Sequence, residues 1–142
     1  MATTRTATTQ WKGALLDGSG SVSLDSSGVG TFDVNWPSRA EAANGKTSPE
    51  ELIAAAHSSC FSMALSHGLA QAGTPPQTVE TKADVTFQPG QGITGIVLSV
   101  KAHVPGITAE EFQTAAENAK ANCPVSKALA GTEISLNAEL LS

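Results

Sequence analysis

Residues 48–72 limit the fold of this chain more than any other stretch. Ser48 can cap a helix, Pro49 suits its first position, and Glu51 three residues on completes a capping box. Leu52, Ile53, Ala56, Cys60, Met63, Ala64 and His67 then recur at spacings of three and four, which predicts an amphipathic helix with these side chains on its apolar face. Gly73 and Pro75-Pro76 end it. At ~1.5 Å per residue such a helix is about 36 Å long, the longest element of the chain. Its surface is rich in Ala and Ser, which permits close packing of a second helix. His57, Ser58, Ser59, Ser66, His67 and Gly68 interrupt its apolar run, so it is not a membrane span.

The elements around this helix follow from alternation and turn chemistry. Residues 10–16, 21–25 and 31–35 read as strands, separated by Asp17-Gly18-Ser19-Gly20 and Ser26-Ser27-Gly28, and predict a meander. Trp36-Pro37-Ser38-Arg39 leaves the sheet, and residues 40–47 read as an irregular loop. Val79, Thr81, Ala83, Val85 and Phe87 alternate, as do Ile96, Leu98, Val100, Ala102 and Val104, with Pro89-Gly90-Gln91-Gly92 between them: a hairpin. Thr108 and Glu111 form a second capping box, opening a helix to about residue 121. Pro124 starts a short helix with Cys123 as its N-cap. Ile134, Leu136, Ala138 and Leu140 close the chain as a strand. The order is three strands, long helix, two strands, two helices, strand. It predicts one α+β domain over residues 1–142, with helices on one sheet face.

Composition excludes several function classes. The 142 residues carry a net charge of −5, which argues against nucleic-acid or anionic-membrane partners. Aromatics are 4% with no Tyr, so no stacking platform for bases exists. Charged residues, at 15%, fall below the ~25% usual for globular domains. That low value suggests a surface partly covered by a second copy of the chain. The Thr-rich start, residues 1–12, has no apolar targeting core. Two cysteines in such a chain fit a reducing cytoplasm.

Those cysteines admit two readings. Both can be small buried hydrophobes, since free Cys is among the most buried residue types. Alternatively they are reactive: a thiol at a helix N-cap meets unsatisfied N–H groups that lower its pKa, and Lys127 adds positive charge one turn on. Cys60 is surrounded by Ser58, Ser59 and Ser62, with His57 three residues before it, a polar lining for a supposedly dry helix.

The run Ser48-Pro49-Glu50-Glu51-Leu52-Ile53-Ala54-Ala55-Ala56-His57-Ser58-Ser59-Cys60-Phe61-Ser62-Met63-Ala64-Leu65 resembles the signature helix of the osmotically inducible protein C / organic hydroperoxide resistance (OsmC/Ohr) family. Cys123-Pro124-Val125-Ser126 resembles that family's second cysteine motif, and Val104-Pro105-Gly106-Ile107 also fits. His57 and the Phe61–Leu65 run are more similar to the osmotically inducible branch. The resemblance implies an intertwined homodimer with the long helices buried between sheets, and a thiol peroxidase serving the response to oxidative or osmotic stress. Cys60 matches the peroxidatic cysteine, Cys123 the resolving one, and Glu50 the acidic site residue. Arg39 stands where that branch carries its site arginine. The implied substrate is an organic hydroperoxide, with hydrogen peroxide a weaker expectation. The implied reductant is a lipoyl-type dithiol, and no metal or flavin cofactor is required.

The chemistry suits these residue types. Only a thiolate attacks the O–O bond, and burial raises a thiol's pKa unless a cation offsets it. An arginine is permanently charged and offers several donors to sulfur and peroxide oxygen. Without the resemblance, Arg39 reads as an ordinary surface arginine, Glu50 as a complement to the helix dipole, and His57 as a packed or solvated histidine. A metal or small-ligand binding module using His57, Cys60 and Cys123 is the alternative, although their spacing does not match a zinc site. A cysteine hydrolase would need a base and an oxyanion hole that the sequence does not place. Phe61, Met63, Ile53 and Phe112 are candidates for an apolar substrate pocket.

Overall fold

The computed structural model describes residues 1–142 as six strands and four helices, the α+β arrangement expected. By contacts the chain divides into two units, Met1–Leu52 and Ile53–Ser142.

The first unit holds the meander. Strands β1 (Thr8–Lys12), β2 (Ser19–Ser23) and β3 (Thr31–Val34) form an antiparallel sheet in the order β1-β2-β3. The first two lie a few residues earlier than the alternation suggested. Residues 36–39, expected to leave the sheet, and residue 40, read as the start of an irregular loop, form a short helix, α1 (Trp36–Ala40). Asn35 starts it: its side chain accepts a hydrogen bond from the Ser38 N–H at 2.8 Å, and Pro37 lies in the first turn. An Asn cap followed by a proline is a helix-start signal, here too short for any periodicity to accompany it. This unit also contains the first turn of α2 (Pro49–Gln71).

Ser48 caps α2, accepting from the Glu51 N–H at 3.1 Å. The return half of the expected capping box is not made, because the Glu51 carboxylate accepts instead from Thr47 Oγ1 at 2.6 Å. At the other end Gly73 adopts φ +87°, a conformation that favours glycine. The Thr74 N–H reaches Leu69 O at 2.9 Å and the Gly73 N–H reaches Ala70 O at 3.0 Å. These two bonds make a Schellman stop.

In the second unit β4 (Thr78–Gln88) and β5 (Gly92–His103) form the long hairpin, and β6 (Ile134–Leu140) lies parallel to β5. The parallel pairing needs a crossover, supplied by α3 (Ala109–Asn122) and α4 (Pro124–Ala128). The capping box of α3 is complete, with Thr108 and Glu111 satisfying each other's backbone N–H groups. Ile96, Leu98, Val100 and Ala102 of β5 project into a core shared with Phe61, Leu65 and Leu69 of α2 and Phe112, Ala116 and Ala119 of α3. The helices therefore cover one sheet face. Each fully buried Phe or Leu of this core contributes about 1.5–3 kcal/mol.

The apolar face of α2 differs from the one read from spacing. The buried line is His57, Phe61, Leu65 and Leu69, whereas Ala56, Met63 and His67 are exposed. Ala and Ser dominate this helix and carry little hydrophobic contrast, so the periodicity did not distinguish one face from its neighbour.

Candidate functional site

Two pairs of side chains stand out. The first lies within residues 1–52. Arg39, in α1, and Glu50, in the first turn of α2, form a bidentate ion pair: Nε donates to Oε1 at 3.0 Å and Nη2 to Oε2 at 2.9 Å. Glu50 is buried and Arg39 keeps about a third of its side chain exposed. The carboxylate fixes the plane of the guanidinium, which a single contact would not do. Asn35 is indirectly responsible, because its cap forms the short helix that carries Arg39. An apolar cavity of about 370 Å³ opens beside the arginine, lined among others by Trp11, Leu15, Val22, Trp36 and Leu52. The expected pocket of Phe61, Met63, Ile53 and Phe112 does not form: Phe61 and Phe112 are sealed in the core and Met63 faces outward. Trp36, the first residue of the helix that carries Arg39, was the available signal for the pocket that does.

The second pair is Cys60, half-buried on α2, and Cys123, fully buried at the start of α4. Both are reduced, and the fold brings them close enough for each thiol to shift the ionisation of the other. Burial raises the pKa of Cys60, and the neighbouring Cys123 thiol raises it further; the Val125 N–H pulls the other way. Burial also works against ionisation of Cys123. The neighbouring Cys60 thiol, the Ser126 backbone and hydroxyl and the Val125 N–H outweigh it, and its pKa is lowered. No full cap hydrogen bond closes on the Cys123 sulfur, so these groups act as oriented dipoles around it. Lys127 is exposed, where solvent screens its charge.

His57 is completely buried, the packed alternative of the two weighed from sequence. Its Nε2 lies 2.7 Å from Ser126 Oγ, and Nδ1 has no hydrogen-bond partner. Ser126 was not singled out by sequence reasoning. The available signal was its three-residue spacing from Cys123, which repeats that of His57 from Cys60. No group of three or more His, Cys, Asp or Glu side chains is placed to hold a metal ion.

Burial lowers the pKa of His57 below its usual 6.5. The unfolded chain therefore binds a proton that the folded chain refuses as pH falls below about 6.5, and this one group removes at most about 1.4 kcal/mol of stability per pH unit in that window. Urea unfolding midpoints measured from pH 7 down to 5 should fall more steeply for the parent than for His57→Gln. Parallel slopes would show that His57 does not carry this linkage.

The sequence profile of OsmC-like proteins matches residues 42–139. Peroxiredoxin OsmC of Escherichia coli is 43% identical over 135 residues, 93% of each chain. The chain belongs to the OsmC-like family. An organic hydroperoxide resistance protein of Xanthomonas axonopodis is 35% identical over 86 residues, 60% of this chain and 61% of that one. The OsmC-like fold is shared with the crystal structure of an organic hydroperoxide resistance protein from Elizabethkingia anophelis, at a TM-score of 0.67 and 31% identity over 99% of each chain. No helix of this OsmC-like chain is long and apolar enough to cross a membrane.

Proposed function

We propose that this chain is a cysteine-based peroxidase that reduces organic hydroperoxides to alcohols. The observation that carries the reading is the meeting of Cys60 and Cys123, remote in sequence, as two reduced thiols near enough to shift each other's pKa. The names carried by its relatives, a peroxiredoxin and an organic hydroperoxide resistance protein, point the same way.

In this mechanism the Cys60 thiolate attacks one peroxide oxygen. The O–O bond breaks, the alkoxide takes a proton and leaves as an alcohol, and Cys60 becomes a sulfenic acid. Cys123 condenses with it to a disulfide and releases water, and an external dithiol, lipoyl-type by family resemblance, restores both thiols by exchange. Because burial and Cys123 raise the Cys60 pKa, the thiolate needs a cation, and Arg39, held in plane by Glu50, is the one we assign. Its N–H donors would also stabilise the developing alkoxide. The apolar cavity beside Arg39 suits the organic part of the substrate.

Glu50 and Cys60 are about ten residues apart on one helix, ~15 Å of axial rise, beyond the reach of a glutamate. We therefore assign the protein as a homodimer whose α2 helices run antiparallel, each site combining Cys60 and Cys123 of one chain with Glu50 and Arg39 of the other.

The test is peroxide consumption with a dithiol against a monothiol, using an alkyl hydroperoxide and hydrogen peroxide. Sustained turnover with the dithiol, and a higher kcat/KM for the alkyl substrate, are expected. No consumption of any hydroperoxide under reducing conditions would overturn the reading.

A further inference from the structure

His57 is a buried titratable side chain that the mechanism above leaves unused. It sits three residues before Cys60 on α2, and Ser126 sits three residues after Cys123 in α4. Residues three apart on a helix are neighbours on one face. The two helices therefore meet at two neighbouring places, where Cys60 lies near Cys123 and where His57 is bonded to Ser126.

The hydrogen bonding gives the second of these a direction. A buried N–H without a partner is costlier and rarer than an unfilled acceptor. Nδ1 is buried and unpartnered, so the imidazole proton belongs on Nε2, where it is donated to Ser126 Oγ at 2.7 Å. Ser126 Oγ then accepts from His57, and its own O–H is left to donate onward. Ser126 stands three residues after Cys123 at the start of α4, on the same face, and its hydroxyl is among the groups that lower the Cys123 pKa. Burial keeps the ring neutral, so His57 acts by orienting this hydroxyl and not as a cation.

We propose that His57 is a positioning residue for the resolving step: through Nε2 it holds Ser126 so that the serine hydroxyl donates to the Cys123 sulfur. The proposal rests on the reading of Cys60 as peroxidatic and Cys123 as resolving. In that step Cys123 Sγ attacks the sulfur of the Cys60 sulfenic acid. The S–S bond forms as the S–O bond breaks; Cys123 is oxidised, Cys60 is reduced, and the departing hydroxide with the proton given up by Cys123 makes one water. A donor on Cys123 favours its thiolate. A one-unit fall in pKa raises the thiolate fraction about tenfold and costs about threefold in nucleophilicity, so the gain exceeds the loss by roughly threefold.

The first measurement needs no peroxidase activity. In a Cys60→Ser background the remaining thiolate is that of Cys123, read by its ultraviolet absorbance at neutral pH. Its fraction should fall several-fold with His57→Leu or Ser126→Ala. His57→Gln, which keeps an N–H donor near the Nε2 position, should restore it. The second uses the otherwise intact protein and one equivalent of an alkyl hydroperoxide, following sulfenic acid and disulfide separately. Both His57→Leu and Ser126→Ala should slow disulfide formation by about threefold or more, and more than they slow sulfenic acid formation. If leucine at position 57 prevents folding, Ser126→Ala decides alone, since it removes one hydroxyl. An unchanged Cys123 thiolate fraction in Ser126→Ala overturns the proposal. Absence of sulfenic acid in every variant would overturn the peroxidase reading instead, and the absorbance comparison would still decide the role of His57.

Discussion

Cys60→Ser is expected to show no hydroperoxide turnover above the uncatalysed rate, whereas Cys123→Ser should consume about one equivalent and stop. The two cysteines are equally reduced and near each other in the fold, so only their roles separate the variants. Removing Cys60 removes the nucleophile, and a serine hydroxyl has no comparable anion at neutral pH. Removing Cys123 leaves the first step intact and blocks the second, so a sulfenic acid accumulates on Cys60 where a trapping reagent can capture it. The resting ionisation makes this informative. In the reduced pair Cys123 is the more readily ionised thiol, and a peroxide attacked by the better-ionised sulfur would give the reverse pattern. Multi-turnover activity in Cys60→Ser, measured as hydroperoxide loss with a dithiol, would show that Cys123 is the nucleophile.

Mixing two impaired variants should create activity. Cys60→Ser lacks the nucleophile, and Glu50→Gln weakens the ion pair that orients Arg39. If each site draws its cysteines from one chain and its Arg39–Glu50 pair from the other, a heterodimer of these variants contains one complete site. After subunit exchange the activity should exceed the sum of the parents and approach half that of an equal amount of native dimer within the heterodimer fraction. Exchange is verified by separating tagged from untagged chains. Proven exchange without a gain in activity would show that each site is built within one chain.

Much of this fold was legible because its elements carry local signals. The Thr108 and Glu111 capping box, the Gly73 stop, the hairpin turn at Pro89–Gly92 and the alternation in β4 and β5 each act within a few residues. The long helix was legible in extent but not in orientation. Phe61, Leu65 and Leu69 mark its buried line, and the small residues between them blur that line into its neighbours. Helix α1 was missed because five residues hold no period, although Asn35 and Pro37 announced it.

The candidate site divides in the same way. Cys60, Cys123, Arg39 and Glu50 were named through the family motifs, and the nearness of the cysteines and the Arg39–Glu50 bond come from the fold. Ser126 was hidden because serine after an N-cap is common in helices, and its partner, His57, lies 69 residues away in sequence. The cavity beside Arg39 draws on three strands and two helices, and no linear pattern marks such a gathering.

The central claim is that Cys60 and Cys123 of one chain are the two ends of a peroxide-reducing couple. Its most direct test is to treat the fully reduced protein with one equivalent of an alkyl hydroperoxide and map its disulfides by mass spectrometry of non-reduced peptides. The account predicts near-complete conversion to an intrachain Cys60–Cys123 bridge, with one equivalent of alcohol formed and both thiols recovered on adding a dithiol. Two free thiols after the hydroperoxide has been consumed, or bridges only between chains, would contradict it.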